Sequence, residues 1–221
     1  RDDYQALKTL TRRFENSISS NVAVQSLLTY VKEKVGIVVG DENEIAIKML
    51  SAVGHELSIA CGFEQIDTWS ISIQRPAKET EDGIEIDVLK PIANKRAVDC
   101  DISRSRSWPI DVGVTGRVFQ TKEPVRVGDM TDAAVQSALG HEAVQPNVYR
   151  SIFATPIIPD GMDDCWGVVI ATSDEADHFR AHNGPDQSHY EPLVQFAALI
   201  ELALGIRDLN IRCPDDPPVK S

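Results

Sequence analysis

The chain has 221 residues, of which 42% are hydrophobic and 25% are charged, and its 22 basic and 34 acidic residues give a formal net charge of −12. This composition is that of a globular domain and excludes collagen-like, low-complexity and wholly disordered proteins. The excess of acidic residues disfavours direct contact with nucleic acid. The longest apolar stretch, over 196–206, is too short for a membrane span.

The first 40 residues, 1–40, are predicted to form a helical segment that serves signalling or dimerisation. Apolar residues recur at spacings of three and four over 4–18 and again over 24–35, as on one face of an amphipathic helix. The last predicted helix carries a comparable stripe. We therefore predict a homodimer with contacts from Tyr4, Leu7, Phe14, Ile18, Leu193, Ile200 and Leu204. The alternative is that the stripes pack within one chain.

The next part of the chain combines one helix with two strands. An acidic start that resembles a capping box predicts a helix from Asp41 to about Gly62. Residues 68–74 alternate strictly between apolar and polar side chains, which predicts a strand. A polar loop over 75–82 and a second alternating strand over 84–88 complete a predicted hairpin.

The second half of the chain begins with an irregular excursion over 93–108. The pattern then predicts a short helix over 114–121, a strand over 125–127, a loop with one short helix over 129–144, strands over 151–158 and 166–172, and a final helix from Pro185. This order predicts an α+β domain over 41–210, in which helices flank a central antiparallel sheet of about five to six strands. A flexible tail is predicted over 211–221, because its prolines cannot continue a helix.

Three sequence blocks occur in the order typical of one known family. They are Gly113-Val-Thr-Gly116 continuing through Phe119 and Pro124 to Asp129, then Arg150-Ser-Ile-Phe-Ala-Thr-Pro156, then Cys165-Trp-Gly167-Val-Val-Ile-Ala-Thr-Ser173 followed by Phe179. Over residues 41–207 this arrangement resembles the GAF domain family. The resemblance implies a GAF/PAS-like fold with a pocket between the sheet and the flanking loops. It also implies a sensory module that binds a small molecule or dimerises.

The glycines of the first block have a local explanation as well. Gly113 and Gly116 allow a sharp turn and let a helix begin close to a neighbouring backbone segment. The start of that helix can offer amide N–H groups to an anionic ligand. A tight turn without a ligand is the alternative interpretation.

The residues that define several ligand classes of the family are missing. Where cyclic-nucleotide-binding members carry an Asn-Lys pair, this chain has Thr172 and Ser173. Bilin-binding members use a cysteine that commonly lies beside a histidine, and no cysteine here has such a neighbour. The free methionine sulfoxide reductase branch groups cysteines around the pocket, where only Cys100 falls nearby. The sequence therefore leaves the cofactor or ligand unknown.

Polar and aromatic side chains of the predicted strands and loops are the candidate ligand-binding residues, because a small-molecule site combines an apolar cavity with a few polar groups. They are Ser70, Ser72, Gln74, Trp108, Asp111, Phe119, Arg150, Thr155 and Trp166. In the alternative interpretation, the serines face water and Trp166 belongs to the core. A basic cluster of Lys95, Arg96, Arg104 and Arg106 could hold an anion, but it is interpreted as solvated loop charge.

Neither a catalytic nor a metal-binding signature is evident in the sequence. No Gly-x-Ser-x-Gly nucleophile motif is present, and His178, His182 and His189 are predicted to lie in a surface loop. The four cysteines form no close pair, which is typical of reduced thiols in a cytoplasmic protein. Cys61 and Cys165 lie in apolar segments and are expected to pack as small core residues.

The sequence thus favours a non-catalytic, GAF-like regulatory module of a signalling protein, which binds an unidentified small molecule or forms a homodimer. It is expected to contact neither nucleic acid nor a membrane. One alternative is a ligand-free domain that serves dimerisation or partner recruitment. A more remote alternative is a thiol-dependent enzyme that acts on small molecules through Cys100.

Overall fold

The structure is a computed structural model that describes residues 41–81, 83–98, 102, 105–139, 149–180 and 188–212, together with positions 19, 21–22, 24–26 and 29. The rest of the segment predicted to be helical over 1–40 lies outside the described residues. Four of the predicted dimer residues also lie outside the described residues: Tyr4, Leu7, Phe14 and Ile18.

The described chain alternates helices with the strands of one sheet. The elements are α1 (Glu42–Ala60), β1 (Trp69–Glu81), β2 (Ile84–Arg96), β3 (Trp108–Pro109), α2 (Gly113–Thr121), β4 (Val125–Val127), α3 (Ala133–Leu139), β5 (Ser151–Ile157), β6 (Gly167–Ser173) and α4 (Glu191–Arg212). None of the helices within the described ranges combines the length and apolar character needed to span a bilayer.

A six-stranded sheet with the order β3-β2-β1-β6-β5-β4 forms the centre of the domain. Each pair of neighbouring strands is antiparallel. The predicted α+β class and central antiparallel sheet are therefore confirmed.

Each face of the sheet packs against a separate apolar cluster. Helices α1 and α4 cover one face and form the larger core with strand residues such as Ile71, Ile73 and Phe153. On the other face, Val118 of α2 packs in a smaller core with Val168 and other strand residues. Because successive side chains of a strand point to opposite faces, β5 and β6 contribute side chains to both cores.

The hairpin formed by β1 and β2 is longer than the sequence pattern predicts. Residues 75–81 of the predicted loop and residues 93–96 of the predicted excursion are instead strand. Cross-strand ion pairs stabilise the exposed half of the hairpin: Lys78 contacts Glu85, and Lys90 Nζ lies 3.0 Å from Glu79 Oε1. Because this half has charged side chains on both faces, its sequence lacks the alternation of apolar and polar residues that predicts a strand.

One predicted helix boundary is confirmed, and another differs from the prediction. Asp41 caps α1 as predicted, because its side chain accepts a hydrogen bond from the Asn43 backbone N–H at 3.2 Å. The final helix begins at Glu191 rather than at Pro185 and continues to Arg212. The helix therefore includes residues 211 and 212, which were predicted to belong to the flexible tail.

Candidate functional site

A cavity of about 340 Å³ lies between the sheet and the start of α2. Strands β1, β2, β5 and β6 and the turn that leads into α2 form its walls. Its lining residues are Ser70, Ser72, Gln74, Pro91, Arg96, Ser105, Arg106, Trp108, Val112, Gly113, Val114, Thr115, Met130, Leu139, Tyr149, Ile152, Ile170 and Thr172. This combination of an apolar wall with a few polar groups is usual for small-molecule sites.

The floor of the cavity is a row of polar side chains that the sheet buries. Ser70, Ser72 and Gln74 are 8%, 7% and 5% exposed, so the alternative that the serines face water is wrong. The hydroxyl groups of Ser70 and Thr172 share a hydrogen bond of 2.7 Å. Gln74 Oε1 is buried and has no hydrogen-bond partner among the described residues. The floor therefore holds a free acceptor.

A positive side chain lies beside this floor. Arg96 is paired with Ser70 across the two strands of the hairpin, which places both side chains on the cavity face. One of its Nη atoms donates to Ser105 Oγ at 3.0 Å, whereas its buried Nε has no acceptor within the described ranges. Interpreting Arg96 as solvated loop charge was therefore wrong.

The turn before α2 forms the opposite wall. Gly113 begins the helix with a φ of +74°, in the left-handed region that favours glycine. Val112 precedes it without a side-chain cap, and the first turn carries no acidic residue. The N-terminus of α2 therefore lines the cavity, and no carboxylate of its own first turn offsets its partial positive charge.

At the rim of the cavity, an arginine packs on a tryptophan. The guanidinium carbon of Arg106 lies 4.3 Å from the centroid of the Trp108 ring, which is within the range of a cation–π contact. Both residues line the cavity.

The structure brings only part of the predicted ligand set together. Ser70, Ser72, Gln74 and Trp108 line the cavity, whereas Asp111, Phe119, Arg150, Thr155 and Trp166 do not. Asp111 is exposed at the turn before α2, and Phe119 packs against the smaller core. The binding role of the residues that line the cavity stays a prediction.

Thr155 and Trp166 lie on the helix side of the sheet. Thr155 pairs with Val169, whose side chain belongs to the larger core, so strand alternation turns Thr155 away from the cavity. Trp166 is 3% exposed and its Nε1 donates to Glu42 of α1 at 2.8 Å. The alternative interpretation of Trp166 as a core residue is therefore confirmed.

Arg150 forms an ion pair outside the cavity. Its Nη2 lies 2.5 Å from Asp129 Oδ2, so two residues of the matched sequence blocks connect the end of β4 to the start of β5. The backbone N–H of Thr131, the Arg150 guanidinium and the Thr131 hydroxyl lower the pKa of Asp129 to about 2.

This shift predicts a specific acid sensitivity. Because the pKa of Asp129 is lower in the folded state than its ordinary 3.8, its stabilising contribution is complete above that value and is lost as the pH falls towards 2. We expect Asp129→Asn to make the urea midpoint less dependent on pH between 4 and 2. Asp164→Asn, at a side chain that is 96% exposed, is the control. Parallel pH profiles for Asp129→Asn and the unmodified chain would contradict the assignment.

Sequence reasoning missed several residues of the site. Thr172 and Tyr149 line the cavity but were not candidates. The pairing of Ser70 with both Thr172 and Arg96 explains two of the omissions, because cross-strand register decides which side chains meet. The signals in the sequence were the polar alternation over 68–74, the predicted helix start at Gly113 and the basic cluster that includes Arg96.

The apolar stripe of α4 is covered by the chain itself. Leu193, Ile200 and Leu204 are at most 3% exposed and belong to the larger core. These three side chains therefore pack against the sheet and α1, which was the alternative to a dimer contact. Homodimerisation stays a prediction.

The described cysteines are core residues, as expected. Cys61 and Cys165 are free thiols, both buried. Burial raises the pKa of each above its ordinary value, since the thiolate would lose its hydration. Neither is therefore a reactive thiolate at neutral pH. Cys100 lies outside the described residues.

His178 is buried rather than exposed in a surface loop. Its side chain is 1% exposed and stacks on Phe63 at a centroid distance of 4.7 Å. Its Nε2 lies 2.9 Å from the carbonyl oxygen of Cys61 and donates to it. His189 packs beside it, and His182 lies outside the described part of the chain. The residues that are described contain no cluster of metal-ligating side chains.

Comparison with known families agrees with this architecture. The model of the GAF domain matches residues 46–204. The chain belongs to the GAF domain family. The predicted resemblance is therefore confirmed over residues 46–204, a range that contains the residues of the smaller core and of the cavity. No curated protein matches the sequence.

Solved structures share the fold of this GAF domain at low sequence identity. A free methionine-R-sulfoxide reductase from Neisseria meningitidis, solved with its substrate, has a TM-score of 0.52 at 16% identity over 86% of this chain and 90% of its own. A reductase of the same kind from Staphylococcus aureus gives 0.53 at 18% identity over 84% and 94%. A Burkholderia vietnamiensis protein named as a GAF sensor gives 0.54 at 13% identity over 87% and 98%.

These comparisons correct one expectation. We expected a protein without enzymatic activity, but the structures that share its fold include reductases as well as a sensor protein. The GAF architecture therefore does not exclude catalysis, and the expectation of no enzyme was wrong as a deduction from fold and motif.

Proposed function

We propose that this GAF domain is a sensory or regulatory module that binds a small molecule in the cavity between the sheet and α2. The observation that supports the proposal is the amide of Gln74, which is 5% exposed and whose oxygen has no partner among the described residues. Leaving a buried acceptor unsatisfied costs about 1–3 kcal/mol of folding free energy. A ligand that donates a hydrogen bond to this oxygen would offset the cost.

Removing the Gln74 amide is expected to stabilise the protein without ligand and to weaken ligand binding. Gln74→Leu keeps a side chain of similar size and removes the unpartnered amide oxygen, so we expect the free energy of unfolding to rise by about 1 kcal/mol. The same change should abolish the stabilisation that a ligand gives to the unmodified protein. Urea denaturation with and without ligand measures both effects. A less stable Gln74→Leu protein would show that the amide is satisfied within the chain.

Native mass spectrometry of the purified chain is the direct test of the proposal. We expect a small additional mass that is lost under denaturing conditions, and we expect Gln74→Leu to carry less of it. The same spectrum reports whether the chain forms the predicted homodimer. A chain that carries no extra mass and gains no thermal stability from any small molecule would favour a ligand-free structural domain and contradict the proposal.

Free methionine-R-sulfoxide belongs among the molecules tested, because proteins of the same fold reduce it. Binding of this compound without turnover would support a sensory role. Formation of methionine in the presence of a dithiol reductant would add catalysis to binding, and Cys100→Ser would then test the contribution of the thiol that sequence reasoning placed nearest to the pocket.

A further inference from the structure

The charge of the cavity is opposite to that of the chain. The protein has a formal net charge of −12, yet the charged side chains among the described lining residues are Arg96 and Arg106. Within that lining, no carboxylate balances them. A cavity with positive walls in an acidic protein attracts anions and repels cations.

Arg96 provides a directed donor rather than a diffuse charge. Its contact with Ser105 holds the guanidinium in place, and the Ser105 hydroxyl also accepts from Asn94 Nδ2 at 3.1 Å. The buried Nε is left with a proton and no acceptor among the described atoms. An ionised acceptor forms a stronger hydrogen bond with a guanidinium than a neutral one does.

The start of α2 supplies a second donor group on another wall. Four consecutive residues, 112–115, line the cavity at the helix N-terminus. This nine-residue helix has neither a side-chain cap nor an acidic residue in its first turn. By contrast, Asp41 caps α1, whose first turn contains Glu42 and Glu44. Helix N-termini with free amide groups bind anions.

We propose that the ligand is a small organic anion, whose carboxylate is bound between Arg96 and the N-terminus of α2 and whose neighbouring donor group binds Gln74. The inference rests on the proposed function, since it assigns a chemical class to the ligand of the same cavity. The apolar wall, which includes Met130, Leu139 and Ile152, would contact the rest of the molecule. A volume of about 340 Å³ limits its size, being at the lower end of the range for ligand pockets.

The test compares acids with their uncharged counterparts on the full chain. A set of small carboxylates, each paired with its primary amide and with an amine of similar size as a cation, is screened by thermal shift, and affinities are measured by calorimetry. The set includes 3-phenyllactate, 3-phenyllactamide and 3-phenylpropanoate, which differ in charge or in the hydroxyl donor. We expect acids to bind, their amides to bind at least about tenfold more weakly, and loss of the hydroxyl to weaken binding further.

Variants assign the effect to the cavity. We expect Arg96→Gln to weaken binding of the acids by about tenfold to a hundredfold while leaving the amides unchanged, and Arg96→Lys to have an intermediate effect. Arg117→Gln is the matched control, because Arg117 is an exposed arginine of α2 that does not line the cavity. Thermal melting without ligand checks that each variant is folded.

The two proposals fail in different ways. If amides or cations bind as tightly as the acids, or if Arg96→Gln binds the acids with unchanged affinity, the ligand is not an anion held by Arg96 and the inference is overturned. The proposed function then still stands, because the cavity binds a small molecule. If no acid, amide or cation binds and no mass copurifies, the proposed function itself is wrong.

Discussion

Gly116→Ala is expected to destabilise the domain by about 1–3 kcal/mol, the usual cost of overpacking a close contact. A Cβ atom at this position would lie 2.7 Å from the carbonyl oxygen of Ile110 and 3.0 Å from its carbonyl carbon. Both are backbone atoms of the turn that leads into α2, so the added methyl can be accommodated only by moving the helix. Since the N-terminus of α2 forms one wall of the cavity, we also expect weaker ligand binding.

A second glycine provides the control for this prediction. Gly205 lies in α4, and a Cβ atom there would have no neighbour within 4 Å among the described residues. Gly205→Ala should therefore be neutral or stabilising by up to about 1 kcal/mol, because alanine favours the helix more than glycine does. Urea denaturation of both variants measures the difference. Equal stabilities for Gly116→Ala and the unmodified chain would mean that α2 does not approach the turn this closely.

The close approach at Gly116 shows what the sequence could reveal. A glycine at this spacing after Gly113 predicted a sharp turn and a helix that begins close to another backbone segment, and both features are present. The strict alternation over 68–74 likewise predicted the buried part of β1 and its polar face. In each case the signal is local, because it depends on residues within one turn or one strand.

The rest of the site depends on register between distant segments. Arg96 reaches the cavity only because β2 pairs with β1 so that Arg96 is opposite Ser70, and a shift in register lies between Ile73 and Gln74. Changing the register by one residue would move every side chain of the strand to the other face. Thr155 was predicted to lie in a strand, and it does, but its side chain is on the helix side of the sheet rather than on the cavity side. Local alternation cannot determine either outcome.

Polar contacts between helices and sheet were also beyond sequence reasoning. Trp166 was a candidate ligand residue, yet its Nε1 donates to Glu42, which precedes it by 124 positions. Glu42 also accepts from Arg75 Nη2 at 2.5 Å and from Arg207 Nη1 at 3.1 Å. One carboxylate thus connects α1 with β1, α4 and the start of β6.

Glu42→Gln is expected to destabilise the domain by about 1–3 kcal/mol, because hydrogen bonds between charged partners contribute more to stability than neutral ones. The side chains of Arg75 and Arg207 are 27% and 18% exposed, so solvent compensates only part of the loss. Glu44→Gln is the matched control in the same helical turn. Its partner is Lys48, both side chains are more than half exposed, and an exposed pair of this spacing contributes about 0.3–0.5 kcal/mol.

The comparison of the two glutamates also separates stability from binding. Glu42 lies on the helix side of the sheet and does not line the cavity, so Glu42→Gln should lower the urea midpoint while leaving the affinity for a cavity ligand unchanged at temperatures where the protein stays folded. Arg96→Gln should instead lower the affinity for a cavity ligand and leave the urea midpoint unchanged. If Glu42→Gln weakened ligand binding as strongly as Arg96→Gln, the helix layer and the cavity would be coupled through the sheet. Equal losses of stability for the two glutamate variants would show that the network around Glu42 contributes no more than a surface ion pair.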